Sequence, residues 1–242
     1  MPDSIEIRKP PPETAIARPE ESAVIPENMA VMPVREMVLF PGIIQPLTVG
    51  RTRSLALIQD AVMGNRIFAV MTQKDAAEEE PTFDRLYHVG CAVRILKLVR
   101  LPDDNQTVIV QAIGRIRAEE LTQANPFFRI EATPVPDVAD ESTELDALVI
   151  SARELIGRII ELSPRIPQEA IAVVASIESP GQLADFIAAN LNVDVAQKQA
   201  LLAEPRVVER LRIAHDLMQR EIEVLELANK IQSDARGRIE ES

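Results

Sequence analysis

The segment after Pro205, RVVERLRIAHDLMQREIEVLELANKIQSDARGRIEES, contains no proline and no glycine before Gly237. Apolar residues recur there at Val208, Leu211, Ala214, Met218, Ile222, Leu225 and Ala228, in steps of three and four. That period marks one face of an α-helix. The spacing predicts a single helix from 205 to about 239, roughly 50 Å long at 1.5 Å per residue. Short neighbouring helices can cover only part of such a rod. Val224, Leu227 and Ile231 form a second apolar stripe beside the first. Two stripes require partners on more than one side, or a coiled-coil seam beside a docking face. Met218, Ile222, Leu225, Leu227 and Ile231 are therefore candidate oligomer or interdomain contacts. No strong helix stop follows Gly237, so the helix is expected to run on within a longer polypeptide.

The rest of the chain divides by texture. Residues 1–27 hold six of the 18 prolines with little periodicity and read as a disordered leader. Residues 28–137 alternate short β-type runs with proline and glycine. Pro33, Pro41 and Pro46 donate nothing to a ladder, which places their segments at sheet edges or bulges. TRSLALIQDAVMGN puts Leu55, Ile58 and Val62 on one helical face, with Gly64 and Asn65 as a stop. RIFAVMT suits a central strand. HVGCAVRILKLVRL and TVIVQAIGRIRAEEL are strands joined by PDDNQ, and FFRIEATPVPD is another. Five or more strands with proline breaks suggest a partly open barrel. Residues 138–204 turn helical: Leu145, Leu148, Ala152, Leu155, Ile159 and Leu162 keep the step, and Pro164 and Pro167 break it. Ser179, Pro180 and Gln182 open one further helix, Asp194 and Gln197 another. The class is α+β: a β domain, a helical bundle, then the long helix at 205–242.

Composition narrows the function. The longest apolar run, AIAVVASI at 170–177, is too short to span a bilayer, and the N-terminus lacks the apolar core of a signal peptide. A soluble, cytoplasmic protein is expected. A net charge of −12 disfavours a general nucleic-acid binder. In the small basic run Arg94, Lys97 and Arg100, strict strand alternation would point Lys97 away from the other two. One cysteine, Cys91, excludes an intrachain disulfide and reads as a small core residue. No ligand spacing for structural zinc occurs. GxxxxGK[ST], GxGxxG and GxSxG are absent. His88 and His215, the two histidines, read as surface or capping residues, and Glu78, Glu79 and Glu80 as a solvated loop. With no catalytic constellation, no metal site and no cofactor motif in these residues, binding remains.

The candidate binding surface is VLFPGIIQPL. Val38 and Leu47 fit a plug at one end of the barrel. Phe40, Pro41 and Ile43 fit either that plug or an exposed apolar patch, which would mark an interaction site. With Ile44 and Met63 they form the candidate substrate-binding set. Met29, Met32, Met37, Met63 and Met71 fall in or near the β domain and could adapt to varied apolar partners or fill the core.

The stretches MPVREMVLFPGIIQPLTVGRTRSLALIQDAV, IFAVMTQKDA, LYHVGCAVRILKLVRLPDDNQTVIVQAIGRIR and QLADFIAANLNVDVAQKQALLAE, in this order, resemble the N-terminal region of the Lon family. These are ATP-dependent serine proteases, also called endopeptidase La. The resemblance covers nearly all of residues 29–242. It implies a PUA-like fold for the β domain and a long helix leading to an AAA+ ATPase module. The family's ATP and Mg sites and its Ser–Lys dyad would lie in modules outside this chain, so the chain itself is expected to be no enzyme. It further implies capture of unfolded or degron-bearing proteins, and a homohexamer in the parent, with this piece alone monomeric or weakly associating. A stand-alone PUA-like adaptor or ligand-binding module is the alternative. An RNA-binding use of the fold is opposed by the acidic balance and the scarcity of aromatics.

Overall fold

The computed structural model of the chain describes residues 15–16, 24–100, 106–139, 141–163 and 166–240, the side chains of 15–16, 100 and 235–240 excepted. Most of the expected leader, most of the PDDNQ joint and the break at Pro164 lie outside them. The described strands are β1 (Ala15–Ile16), β2 (Asn28–Val34), β3 (Ile43–Val49), β4 (Ile67–Thr72), β5 (Val89–Arg100), β6 (Gln106–Gln123) and β7 (Phe128–Pro134). The helices are α1 (Thr52–Met63), α2 (Thr143–Leu162), α3 (Ala170–Ser176), α4 (Pro180–Asn190), α5 (Val195–Ala203) and α6 (Val207–Glu240).

The strands form one curled sheet in the order β1-β3-β6-β5-β4-β2-β7, with a further pairing of β7 to the far half of β6. The 18-residue β6 makes this possible: its first half pairs with β3 and its second half with β7, while β5 runs along both. β1 and β3 hang off the curl as a flap, leaving a partly open barrel. Among the described strands, β2 and β4 pair in parallel and the others antiparallel. Pro33 sits where one side of its strand is free: β7 pairs with β2 only over 28–31. A missing N–H costs nothing on an unpaired side. A bulge between Ile95 and Lys97 breaks strict alternation, so Leu98, not Lys97, rejoins the core face used by Ile95. The expected separation of Lys97 from Arg94 therefore fails, because the bulge resets the parity.

Within the stretch read as leader, the described residues are tied down. Ala15 and Ile16 pair with Ile44 and Ile43, Ile25 packs on a barrel core, and the Glu27 carbonyl accepts from the Ala132 N–H at 2.8 Å.

Several strands are buried on both faces, which is why RIFAVMT reads as apolar throughout; β2, placed at an edge or bulge on account of Pro33, instead lies between β4 and β7 with side chains in both cores. One face encloses Met29, Val31, Ala69, Met71, Ala92, Ile116 and Ile130. The other carries Met32, Phe68, Val70, Cys91 and Val93, packs against Leu57 and Ile58 of α1, and continues into the bundle core. That second core ends in Leu183, Ile187, Leu201, Leu211 and Met218.

Caps start the bundle helices where the sequence placed them. Ser179 Oγ accepts from Gln182 N–H with Pro180 at the first helical turn, and Asp194 with Gln197 forms a reciprocal capping box. Ser142, which the reading passed over, caps α2 through Leu145 N–H at 3.1 Å. Such caps contribute about 1 kcal/mol each. α6 runs unbroken over Val207–Glu240, 34 residues. Its most extensive helical neighbour is α2.

Candidate functional site

The apolar segment VLFPGIIQPL folds around a tight turn. Pro41 and Gly42 occupy its centre, Gly42 at φ 83°, and Ile43 N–H returns to the Phe40 carbonyl at 3.3 Å. Proline before glycine is what a turn needing a positive φ at its third residue selects. Gly42 N–H donates to Ala112 O at 2.8 Å, which fastens the turn to β6. The result swings both Phe40 and Ile43 inward, and both are buried with Val38, Leu39 and Leu47. The exposed-patch alternative for Phe40 and Ile43 is thereby corrected, because the turn tucks its flanks into the core instead of displaying them. Pro41 and Ile44 are half-buried. Met63 stands apart at the end of α1, 85% exposed. Of the other methionines, Met29, Met32 and Met71 are core, and Met37 lines a cavity of about 350 Å³ with Met32, Pro46 and Leu47.

On α6 the two stripes separate. Leu211, Ala214 and Met218 are buried, and Ile222 and Leu225 pack onto the same core. Val224, Leu227 and Ile231 are 66%, 59% and 60% exposed. Near its far end α6 still touches α2: Arg158 binds Glu226 at 2.9 Å, and Asn229 Nδ2 donates to Leu162 O at 3.0 Å.

α2 and α6 also bring Ser151 Oγ within 3.1 Å of His215 Nε2, with Asp216 Oδ1 3.8 Å from Nδ1. A serine against a histidine is nucleophile-and-base geometry. The setting does not support that chemistry. Ser151 lies mid-helix, where the backbone N–H groups of α2 are spent on the helix and offer no oxyanion donors. Asp216 is exposed and too far to orient the ring. The contact pins α2 to α6. His88 stacks on Phe83 at 4.7 Å between ring centroids. Cys91 is buried and its thiol, pushed up to about 12 chiefly by burial, is inert as a nucleophile. Among the described residues no group of three or more His, Cys, Asp or Glu side chains is arranged to hold a metal ion.

The densest polar cluster joins the β domain to the bundle. Arg115 of β6 reaches Asp185 of α4, Asp137 at 2.9 Å, and the Leu202 carbonyl at 3.0 Å. Arg210 of α6, wholly buried, grips both oxygens of Asp137 at 2.9 and 3.0 Å and the Glu204 carbonyl at 3.0 Å. Its Nε lies 3.3 Å from Asp185 Oδ1, an ion contact without hydrogen-bond alignment. Gly181 leaves room for this: a Cβ there would come within 2.1 Å of Asp137 Oδ2. Burial pushes the Asp185 carboxyl up to about 6, against the opposing pull of Arg115 and Arg210. The two arginines and two carboxylates balance in charge. Apart from Arg210 Nε, their nitrogen donors hydrogen-bond within the chain, and the cluster acts as a clasp between domains. Gln199 adds a link, donating to Val89 O at 2.7 Å.

Two further cavities open to solvent. One of about 440 Å³ at the start of α1 is lined by Arg35, Arg51, Arg53, Glu79, Glu80 and Phe128, among others. Arg35 donates to Glu78 O and Arg53 to Asn125 Oδ1. The other, about 330 Å³, lies between α2 and α3 and is lined mainly by aliphatic carbon.

The profile of the ATP-dependent protease La (LON) substrate-binding domain matches residues 28–220. The chain belongs to this family. The LON substrate-binding domain thus takes in the barrel, the bundle and the first part of α6. Over 214 residues the chain is 40% identical to Lon protease 2 of Myxococcus xanthus, covering 88% of this chain and 26% of the relative. It is also 40% identical to a Lon protease of Anaeromyxobacter dehalogenans, covering 88% and 25%. The chain therefore spans about a quarter of the length of these curated relatives. In fold it is similar to the N-terminal domain of a Mycobacterium avium complex Lon protease, with TM-score 0.66, 23% identity, and coverage of 79% of this chain and 98% of that one. A Lon N-terminal domain protein from Xanthomonas campestris gives TM-score 0.56 at 19% identity, covering 76% and 95%.

The clasp in this LON domain escaped the sequence reading. Arg115 and Arg210 sit among many charged residues, and no spacing marks them. The one usable signal was Asp185 inside LADFIAA, a lone charge within an apolar helix, which needs a partner if buried.

Proposed function

We propose that the chain is the non-catalytic substrate-recognition and assembly region of an ATP-dependent Lon-type protease. It captures unfolded or degron-bearing proteins for ATPase and protease modules elsewhere in the full-length polypeptide, where ATP and Mg act. The observation that carries this reading is the family match across residues 28–220. The physical setting supports it. Exposed apolar side chains remain on the bundle and on α6, while the polar groups best placed for chemistry are spent on structure. The stripe of Val224, Leu227 and Ile231 serves assembly, in a parent that is a homohexamer. Capture in the cytoplasm, with neither membrane nor nucleic acid as partner, completes the proposal. No described helix is long and apolar enough to cross a membrane, and the net charge of −12 opposes a polyanion.

The test is fluorescence anisotropy with a labelled casein-like unfolded protein and a folded counterpart of similar size. Saturable binding of the unfolded form alone is expected. Equal affinity for both forms, or for neither, refutes the reading.

A further inference from the structure

The cavity between α2 and α3 has the features of a binding seat. Ile156, Gly157 and Ile160 from α2 and Ile171, Val174 and Ala175 from α3 form its walls. Ile171 of its wall is 46% exposed, and apolar surface extends beyond the walls to Ile150, about two turns before Gly157 on the same face of α2 and 61% exposed. Isolated exposed aliphatics are unremarkable, but here they adjoin an aliphatic groove.

Gly157 is the second observation. It lies inside the 20-residue α2, where glycine costs about 1 kcal/mol relative to alanine. Close packing usually repays such a cost. Here a Cβ would meet nothing within 4 Å, so nothing in the described chain needs the glycine. Its effect is to keep the groove open.

Charge defines the occupant. Arg153, the cation in the groove wall, has both terminal nitrogens committed, one to Val174 O at 2.6 Å and the other to Ile177 O. Arg158 is held by Glu226 and Glu161. Helical spacing puts Glu154 on the α2 side, and Glu169 and Glu178 flank α3. All three are exposed. An apolar trough with an acidic margin suits an aliphatic segment accompanied by positive charge.

We propose that this groove seats a short aliphatic segment of unfolded polypeptide flanked by Lys or Arg. The proposal rests on the substrate-recognition reading and specifies where a client's apolar side chains go. Backbone pairing is not required, so any extended or helical segment with two or three aliphatic residues fits.

The test uses the 242-residue chain and a short fluorescein-labelled peptide with an Ile-Val-Leu centre and Lys flanks, beside the same peptide with Glu flanks. Gly157→Leu projects into the groove from a position where a Cβ meets nothing within 4 Å and replaces a poor helix former with a good one, so its melting temperature should equal or exceed that of the parent. Binding of the Lys-flanked peptide should weaken on the order of tenfold or more, as for loss of a central anchor. Should Gly157→Leu melt earlier, Ile171→Ser on the opposite wall reads the same site. The Glu-flanked peptide should bind the parent more weakly, and the gap should narrow as salt is raised. Undiminished binding by Gly157→Leu and Ile171→Ser overturns the groove while leaving the recognition reading standing. Failure of the parent to bind any unfolded client overturns both. Self-association of the parent that Gly157→Leu abolishes assigns the groove to a second copy and overturns the client proposal.

Discussion

Arg210→Met tests the interdomain clasp. Arg210 is wholly buried and contacts Asp137, Asp185 and the carbonyls of Glu204 and Gly181. Methionine keeps much of the bulk and removes the charge. Breaking a buried pair by removing one partner costs about 3–5 kcal/mol, since the other charge is left uncompensated. Two details place this substitution at the lower end. Asp185 keeps Arg115, and Asp137 is partly exposed and regains water. A loss of about 3 kcal/mol is expected, which for a chain of this size lowers the melting temperature by roughly 6–12 °C. Far-UV circular dichroism during urea unfolding is the suitable assay, because the chain has no tryptophan and one tyrosine. Arg210→Lys should recover only part of the loss, since an ammonium cannot fork across both Asp137 oxygens and reach the carbonyls as well. Arg212→Met, on the same helix as Arg210, removes surface pairs to Glu144 of α2 and Glu209 of α6; it is the control and should change little. A loss below about 1 kcal/mol for Arg210→Met, or one no larger than the control's, refutes the clasp.

Phe40→Ala should destabilise by about 3–5 kcal/mol in the same urea assay, the cost of a core cavity, and a shift under 1 kcal/mol would return Phe40 to the surface. Asp185→Asn should alter the pH dependence of stability. The folded carboxyl titrates near 6 against an ordinary value of 3.8, so the folded state holds that proton more tightly. Its contribution is fully present below about 3.8 and is lost as pH rises through 6, by up to about 3 kcal/mol from the distance between those values. Urea unfolding near pH 4 and near pH 7 should show this fall in the parent and not in Asp185→Asn; equal slopes refute the assignment. Leu227→Ser with Ile231→Ser should leave stability within about 0.5 kcal/mol, as exposed sites do, yet weaken assembly of the full-length polypeptide in sedimentation velocity. Unchanged assembly would free that stripe from the role.

What was legible in the sequence was periodic or chemically punctuated. The α6 stripes, the caps at Ser179 and Asp194, and the doubly buried β4 announce themselves through spacing or turn chemistry. What was not legible depends on partners distant in sequence. Burial of Phe40 hinges on Gly42 N–H reaching Ala112, 70 residues on. The bulge at Ile95 and Lys97 leaves no composition mark, and it undid the expected facing of Lys97. Arg115, Asp137, Asp185 and Arg210 meet from four separate segments. The α2–α3 groove is an absence of side chain at Gly157, which a periodicity reading registers only as a weak helix position. Proline-rich apolar sequence left Phe40 and Ile43 open to either plug or display, and the Pro41–Gly42 turn decides for the plug by folding them inward.

The central claim is that this chain grips unfolded polypeptide and carries out no chemistry on it. Titration of a reduced, unfolded client into isotopically labelled chain, followed by amide chemical shifts, tests it most directly. The account predicts saturable shifts clustered on surface residues of one face, with the client intact at the end. The absence of any saturable shift, or the appearance of client fragments produced by this chain alone, would contradict it.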